Sequence, residues 1–169
     1  MADTITFFIP GPTWMYRGSR KIRTDGHHTF PSLNEYMTVC NRSYHGQGHA
    51  KKDLTEWCYK YAHRAKLAEG WVTPKGQVSI ELEFVEPNRK RDADNIAFAS
   101  KFILDGLTWP RDKREGNGHM RRADPTERVI VNDSQAYVPQ PPHSTVRVAL
   151  DEVPGVWVTV TKLNNGGRK

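Results

Sequence analysis

The chain has 169 residues, a length that suits one domain and can bury a core. Its 25 Lys and Arg against 19 Asp and Glu give a net charge of +6, which favours a partner with a phosphate backbone or an anionic surface. The 37% of hydrophobic and 10% of aromatic residues exclude wholesale disorder. Because no apolar run approaches about 18 residues and the opening residues lack the pattern of a signal peptide, we expect a cytoplasmic protein without membrane contact.

The two cysteines and the first predicted elements point to an ordinary folded domain. Cys40 and Cys58 are too few for a zinc cluster and are expected to be free thiols. Ile5, Phe7 and Ile9 alternate toward one face, which predicts a strand. Residues 13–30 are basic and aperiodic, which predicts a loop.

Two helices are predicted next. Ser32 followed by Glu35 forms a capping-box pattern that starts the first helix, and the glycine-containing stretch 41–49 is expected to end it. In the second helix apolar residues recur three and four apart, which predicts one buried face. That face comprises Leu54, Trp57, Cys58, Tyr61 and Ala65.

The second half of the chain mixes strands with one helix. Residues 78–85 alternate strictly and predict a strand, which an acidic turn at 92–95 joins to a third helix. That helix is marked by Ile96, Ala99, Ile103 and Leu107. Polar residues 109–128 predict a mobile loop.

The chain then closes with two β-rich runs, at 146–150 and 156–163, and a tail at 164–169 that is expected to be frayed. Together the predicted elements favour a single α+β domain over residues 1–169. Its sheet is expected to be mixed or antiparallel, with helices packed against it.

Candidate chemistry concentrates on Asp92, Asp94 and Asp133. Two carboxylates at i and i+2 in a turn between strand and helix can converge on Mg²⁺, which proteins hold with one or two carboxylates plus water and substrate phosphate. The competing structural interpretation makes Asp94 an ordinary helix N-cap and Asp92 a solvated turn residue. Both interpretations remain open at this point.

Basic residues adjoin this acidic turn. Arg89, Lys90 and Arg91 directly precede it and are candidates for phosphate binding, although a solvated charged turn would look the same. Lys101 follows Asp94 by about two helical turns and is expected on nearly the same face. Its ammonium either approaches a phosphate or pairs with Asp105 at i+4.

Four short motifs, in order, resemble the RusA family of Holliday junction resolvases, which phages and prophages commonly encode. The motifs span residues 5–135 and comprise Ile5-Thr6-Phe7-Phe8-Ile9-Pro10-Gly11, Pro31-Ser32-Leu33-Asn34-Glu35-Tyr36, Asp92-Ala93-Asp94-Asn95 with Leu104-Asp105-Gly106-Leu107, and Val131-Asn132-Asp133-Ser134-Gln135.

The resemblance implies a small α+β fold, a homodimer, and Mg²⁺-dependent cutting of symmetric strands at four-way DNA junctions, with Mn²⁺ as a possible substitute. It implies metal ligation by Asp92, Asp94 and Asp133. The family's catalytic lysine stands four residues after the second aspartate, where this chain has Phe98, so Lys101 becomes the candidate replacement.

The segment from Asn41 through Lys52, which contains Arg42, Lys51 and Lys52, resembles a basic stretch in one branch of the family and is a candidate DNA contact, or else a solvated helix start. The function expected is thus a structure-selective endodeoxyribonuclease acting on branched double-stranded DNA in recombination, repair or phage DNA processing. Two alternatives stay open: a protein of the same fold that binds branched DNA without cutting it, and a basic module that contacts RNA or a protein partner.

Overall fold

A computed structural model describes residues 2–17, 20–42 and 44–163, with the backbone alone described at residues 42 and 44–47. The tail at 164–169 lies outside the described residues. The helices and strands are β1 (Thr4–Pro10), β2 (Trp14–Arg17), β3 (Arg20–Arg23), α1 (Leu33–Arg42), α2 (Tyr44–Ala68), β4 (Val78–Glu86), α3 (Ala93–Ala97), α4 (Ser100–Leu107), β5 (Lys113–Arg114), β6 (Met120–Arg121), β7 (His143–Val148) and β8 (Gly155–Lys162). No helix in this described part is long and apolar enough to cross a membrane.

The main sheet has four strands in the order β1-β8-β4-β7. β8 pairs antiparallel with β1 on one side and with β4 on the other, whereas β7 pairs parallel with β4. The expected α+β class with a mixed sheet is therefore confirmed. The two smaller sheets are the hairpins β2–β3 and β5–β6.

The core lies between one face of the main sheet and the helices. The alternation predicted for the first strand is confirmed, since Ile5, Phe7 and Ile9 are all buried. The predicted stripe on α2 is confirmed at its centre, where Leu54 and Cys58 are buried. Cys40 and Cys58 are free thiols, as expected.

α2 and α4 approach each other closely at Gly106. A Cβ placed on Gly106 would lie 2.6 Å from the Cβ of Cys58 and 2.9 Å from the backbone nitrogen of Tyr59. Only glycine fits such a contact without moving the helix backbone. The close packing of α4 against α2 therefore explains why position 106 is a glycine.

The start of α1 confirms the capping box. The backbone N–H of Ser32 donates to Glu35 Oε2 at 2.6 Å, and the N–H of Glu35 donates to Ser32 Oγ at 3.2 Å. α1 ends at Arg42, inside the stretch 41–49 that is predicted to end it, but residues 44–49 already belong to α2. Tertiary packing of α2 overrides the low helix propensity of its two early glycines.

Two further expectations need correction. Residues 13–30 are not a loop throughout, since they contain the hairpin β2–β3. The predicted third helix is divided into α3 and α4, although its apolar marker residues are buried as expected. The segment 109–128 is largely irregular and exposed, and it includes the short hairpin β5–β6.

Candidate nucleic-acid interface and carboxylate turn

The acidic turn presents two exposed carboxylates at the start of α3. Asp92, and not Asp94, occupies the N-cap position, with φ −70° and ψ 147°, and its side chain makes no capping hydrogen bond. The N-cap interpretation of Asp94 is therefore wrong. Within the described residues neither carboxylate is engaged in a hydrogen bond or ion pair, so both are available to a ligand.

Arg91 anchors this turn to the body of the protein. Its Nη1 lies 3.0 Å from Oε1 of Glu86, and its Nη2 donates to the carbonyl of Phe30 at 2.8 Å. Burial raises the pKa of Glu86, Arg91 opposes that rise, and the negative charge of Glu35 adds to it. Arg91 thus joins the end of β4, the segment before α1 and the acidic turn.

The three basic residues before the acidic turn divide into two roles. Arg89 and Lys90 are exposed, and the N–H of Lys90 donates to Asn88 Oδ1 at 3.0 Å in a local turn. The Arg91 side chain is 19% exposed and committed to Glu86. Arg89 and Lys90 therefore face solvent, whereas Arg91 is turned toward Glu86. DNA contact by each of the three stays a prediction.

Lys101 does not share one continuous helix with Asp94. Hydrogen bonds of i to i−3 type, such as Lys101 N–H to the Phe98 carbonyl at 3.3 Å, separate α3 from α4. The two residues therefore lie on consecutive helices, and the expectation that their side chains share nearly one face stays a prediction. The alternative pairing of Lys101 with Asp105 is wrong, since Asp105 is bound elsewhere.

Phe98, at the position of the family lysine, belongs to an aromatic cluster. Its ring centroid lies 5.6 Å from that of Tyr36 and 5.4 Å from that of Phe102. Tyr36 and Phe102 are buried, so this cluster packs α1 against the junction of α3 and α4. Phe98 is therefore explained by packing.

Asp133 is exposed and lines a shallow depression with Arg111 and Arg128. Within residues 2–17, 20–42 and 44–163, no three His, Cys, Asp or Glu side chains come together as metal ligands. The predicted set of Asp92, Asp94 and Asp133 is therefore not assembled as a magnesium site within one copy of the chain.

The predicted DNA contacts on α2 are partly engaged within the chain. Lys51 Nζ lies 3.2 Å from Oδ2 of the buried Asp105, and Lys52 Nζ lies 3.8 Å from Oε1 of Glu56 one turn later. Arg111 binds the other oxygen of Asp105. The side chain of Arg42 lies outside the described residues.

A basic hairpin that the sequence reading missed lies at β2–β3. Its register places Arg17 opposite Arg20, and Tyr16 opposite Lys21. Like charges directly opposite each other destabilise a hairpin, so the Arg17–Arg20 pair favours an anionic partner. Two four-residue runs separated by Gly18-Ser19 are a hairpin signal that could have been recognised.

The hairpin β5–β6 repeats this arrangement. Lys113 lies opposite Arg121, and both are exposed. The segment is held at its base by Arg128, whose Nε donates to the Pro110 carbonyl at 2.8 Å, and by the pairing of Arg111 with Asp105. In both hairpins, therefore, exposed cations lie directly opposite each other.

Comparison of the sequence with models of known protein families gave no match, and comparison with curated proteins gave none either. The resemblance to the RusA family therefore depends on the four motifs alone.

Proposed function

We propose that this chain is a structure-selective endodeoxyribonuclease of RusA type that binds four-way and related branched DNA and cuts it at the carboxylate turn. Asp92 and Asp94 are its candidate catalytic carboxylates, and Asp133 and Lys101 are further candidates. The homodimer and the Mg²⁺ or Mn²⁺ dependence enter this proposal through the family resemblance.

The observation that supports a DNA partner is the facing of like charges in both hairpins. Arg17 opposite Arg20, and Lys113 opposite Arg121, repel each other in the free protein. A phosphate backbone turns each repulsive pair into two favourable contacts. Anchored cations on separate hairpins suit a ligand that presents more than one DNA arm.

The observation that supports cutting is the carboxylate turn itself. Asp92 and Asp94 are exposed at the start of α3, and Arg89 and Lys90 stand immediately before them. Basic residues at that place can hold the phosphate backbone beside the two carboxylates. Arg91 acts as a positioning residue, because its contacts with Glu86 and Phe30 fix the turn.

One other function has specific support: binding of branched DNA without cutting. Phe98 stands at the position of the family lysine and is partly buried against the core, and the described residues assemble no three-ligand metal group within one copy. Under this second proposal the hairpins would still bind DNA, and the carboxylates would have no catalytic part.

The test is incubation of the purified protein with a labelled four-way junction, in Mg²⁺, in Mn²⁺ and in EDTA, with linear duplex as a control. The nuclease proposal expects paired nicks near the branch point that require the divalent ion. Tight junction binding without cleavage in either ion would overturn it in favour of the binder. Equal affinity for junction and duplex would contradict structure selectivity in both proposals.

A further inference from the structure

A cleft of about 120 Å³ lies between the β2–β3 hairpin and the two long helices. Residues of three elements line it, among them Trp14, Met15, Tyr16, Glu35, Tyr36 and Leu54. Its volume is close to that of the roughly 150 Å³ cavity that admits benzene in an engineered protein. The cleft is thus on the scale of a single aromatic ring, and a larger ring system would project from its mouth.

The walls of the cleft suit such a group. The floor is apolar and buried at Val39, Ala50 and Leu54, whereas Met15 and Glu35 at the mouth are exposed. Trp14, Tyr16 and Tyr36 contribute aromatic side chains to the lining, which suits contact with the edge or face of a planar ring.

The acidic groups around the cleft are already neutralised or engaged. The Tyr16 hydroxyl donates to Asp53 Oδ2 at 2.5 Å, and Lys21 Nζ lies 2.9 Å from the same oxygen. Oε2 of Glu35 accepts from the backbone of Ser32 in the capping box. These contacts of Asp53 and Glu35 therefore reduce the repulsion that the two carboxylates would exert on an anionic ligand at the mouth of the cleft.

Cations stand beside the lining residues. Arg17 follows Tyr16 and Arg23 lies opposite Trp14 in the hairpin register, and both arginines are exposed, whereas Lys21, 4.3 Å from the centroid of the Trp14 ring, is paired with Asp53. An aromatic ligand attached to phosphate could place its ring in the cleft and its phosphate beside these cations. An aromatic side chain of a neutral peptide would satisfy the cleft alone.

We propose that this cleft binds one unstacked nucleobase of DNA while the β2–β3 hairpin holds the adjoining phosphates. The inference rests on the proposed function for the identity of its ligand and deepens it. It makes the cleft a reader of unstacked bases, which single-stranded segments offer and continuous duplex does not.

Two contacts connect the residues that line the cleft with the segment that carries the carboxylate turn. Phe30, whose carbonyl binds Arg91, directly precedes Pro31 in the cleft lining, and Tyr36 in the lining contacts Phe98 at the end of α3. Under this proposal, a strand with one base in the cleft would continue toward Asp92 and Asp94. The base would position the strand, and the carboxylate turn would act on it.

The test compares the affinity of the protein for a labelled single strand with its affinity for a fully abasic strand of the same length, by fluorescence anisotropy. Linear duplex and a four-way junction serve as additional probes. Wild-type protein is expected to prefer the base-bearing strand about tenfold, the effect of stacking one base on an aromatic side chain.

Two variants alter the cleft while leaving the arginines and the lysine of the β2–β3 hairpin unchanged. Ala50→Met fills the buried floor, and Met15→Glu places a charge at the mouth; each is expected to abolish the tenfold preference. Met37→Glu is the matched control, since Met37 is 44% exposed against 40% for Met15 but does not line the cleft. It should retain the preference, and because Met15 is exposed, Met15→Glu tests the cleft even where Ala50→Met unfolds.

The outcomes separate this proposal from the proposed function. Equal wild-type affinity for the base-bearing and abasic strands, with junction binding intact, overturns the cleft alone. Loss of the preference in Met37→Glu as much as in Met15→Glu also overturns it. Absence of binding to all four probes overturns both the cleft and the DNA-binding function.

Discussion

Arg91 joins the acidic turn to the buried carboxylate of Glu86, with Nη1 3.0 Å from Oε1 and 3.3 Å from Oε2. Glu86 is 3% exposed, so its charge has little access to water and depends on this partner. The pair is therefore structural, and it determines where the following residue, Asp92, is presented.

Arg91→Ala is expected to lower the free energy of unfolding by about 3–5 kcal/mol, because it leaves the Glu86 carboxylate buried and unpaired. Urea denaturation at neutral pH measures this change. Arg89→Ala is the control, since Arg89 is exposed, and it should alter stability by no more than about 0.5 kcal/mol. Equal effects of the two substitutions would contradict the anchoring role of Arg91.

Glu86 is expected to contribute to the way the free energy of unfolding changes with pH. Its pKa in the folded protein is raised above the usual 4.5, mainly by burial, so the folded state binds this proton more tightly than the unfolded state. The contribution of Glu86 to the free energy of unfolding must then fall as pH rises from the unfolded pKa through the folded pKa.

Glu86→Gln is expected to remove that slope, as measured by denaturation across a pH series. Glu81→Gln, at an exposed position on the same strand, should leave the slope unchanged. A wild-type protein whose stability increased with pH through this window because of Glu86 would contradict the predicted direction.

Asp105 binds Lys51 and Arg111 and so connects α4 to α2 and to the base of the segment 109–128. Asp105→Ala should lower the free energy of unfolding by about 2–3 kcal/mol, the usual effect of losing a hydrogen-bonded charge contact. It should also speed hydrogen exchange of the amides at 113–121. Asp151→Ala, at an exposed carboxylate outside the segment 109–128, is the comparison, and equal exchange in both variants would rule out the anchor.

The facing cations predict opposite effects on stability and binding. Arg17→Ala together with Arg20→Ala should leave the free energy of unfolding unchanged or raise it by up to about 1 kcal/mol, because a cross-strand repulsion is removed. The same change should weaken DNA binding and reduce the salt slope by about 1.8, the value for two lost phosphate contacts. Lys75→Ala, at an exposed turn, should do neither. An unaltered salt slope in the double variant would exclude the hairpin from the interface.

Local sequence patterns predicted the elements whose signals are local. The alternation at Ile5, Phe7 and Ile9 and the capping box at Ser32 depend on neighbours within a few residues, and both are confirmed. The parallel pairing of β7 with β4 depends on residues far apart in the chain, and only the mixed or antiparallel character of the sheet could be predicted.

The site shows the same division. The sequence identified Asp92 and Asp94 as neighbours at the opening of a helix, which the structure confirms, with Asp92 at the N-cap and Asp94 in the first turn of α3. It could not reveal that Arg91 is turned inward to Glu86, or that winding at Phe98 separates Lys101 from Asp94, because both follow from tertiary packing. The β2–β3 hairpin was missed because its aromatic residues were read as aperiodic, although they alternate with exposed ones.

The most direct test of the account is the rate of junction cleavage by Asp94→Asn under single-turnover conditions, beside Asp151→Asn as a control at another exposed carboxylate. Asp94→Asn is expected to bind the four-way junction as tightly as wild type but to cut it at least about 100-fold more slowly, as follows from loss of a group acting in the transition state. Asp151→Asn should cut at the wild-type rate. Cleavage by Asp94→Asn at the wild-type rate would contradict the assignment of the carboxylate turn as the cutting site.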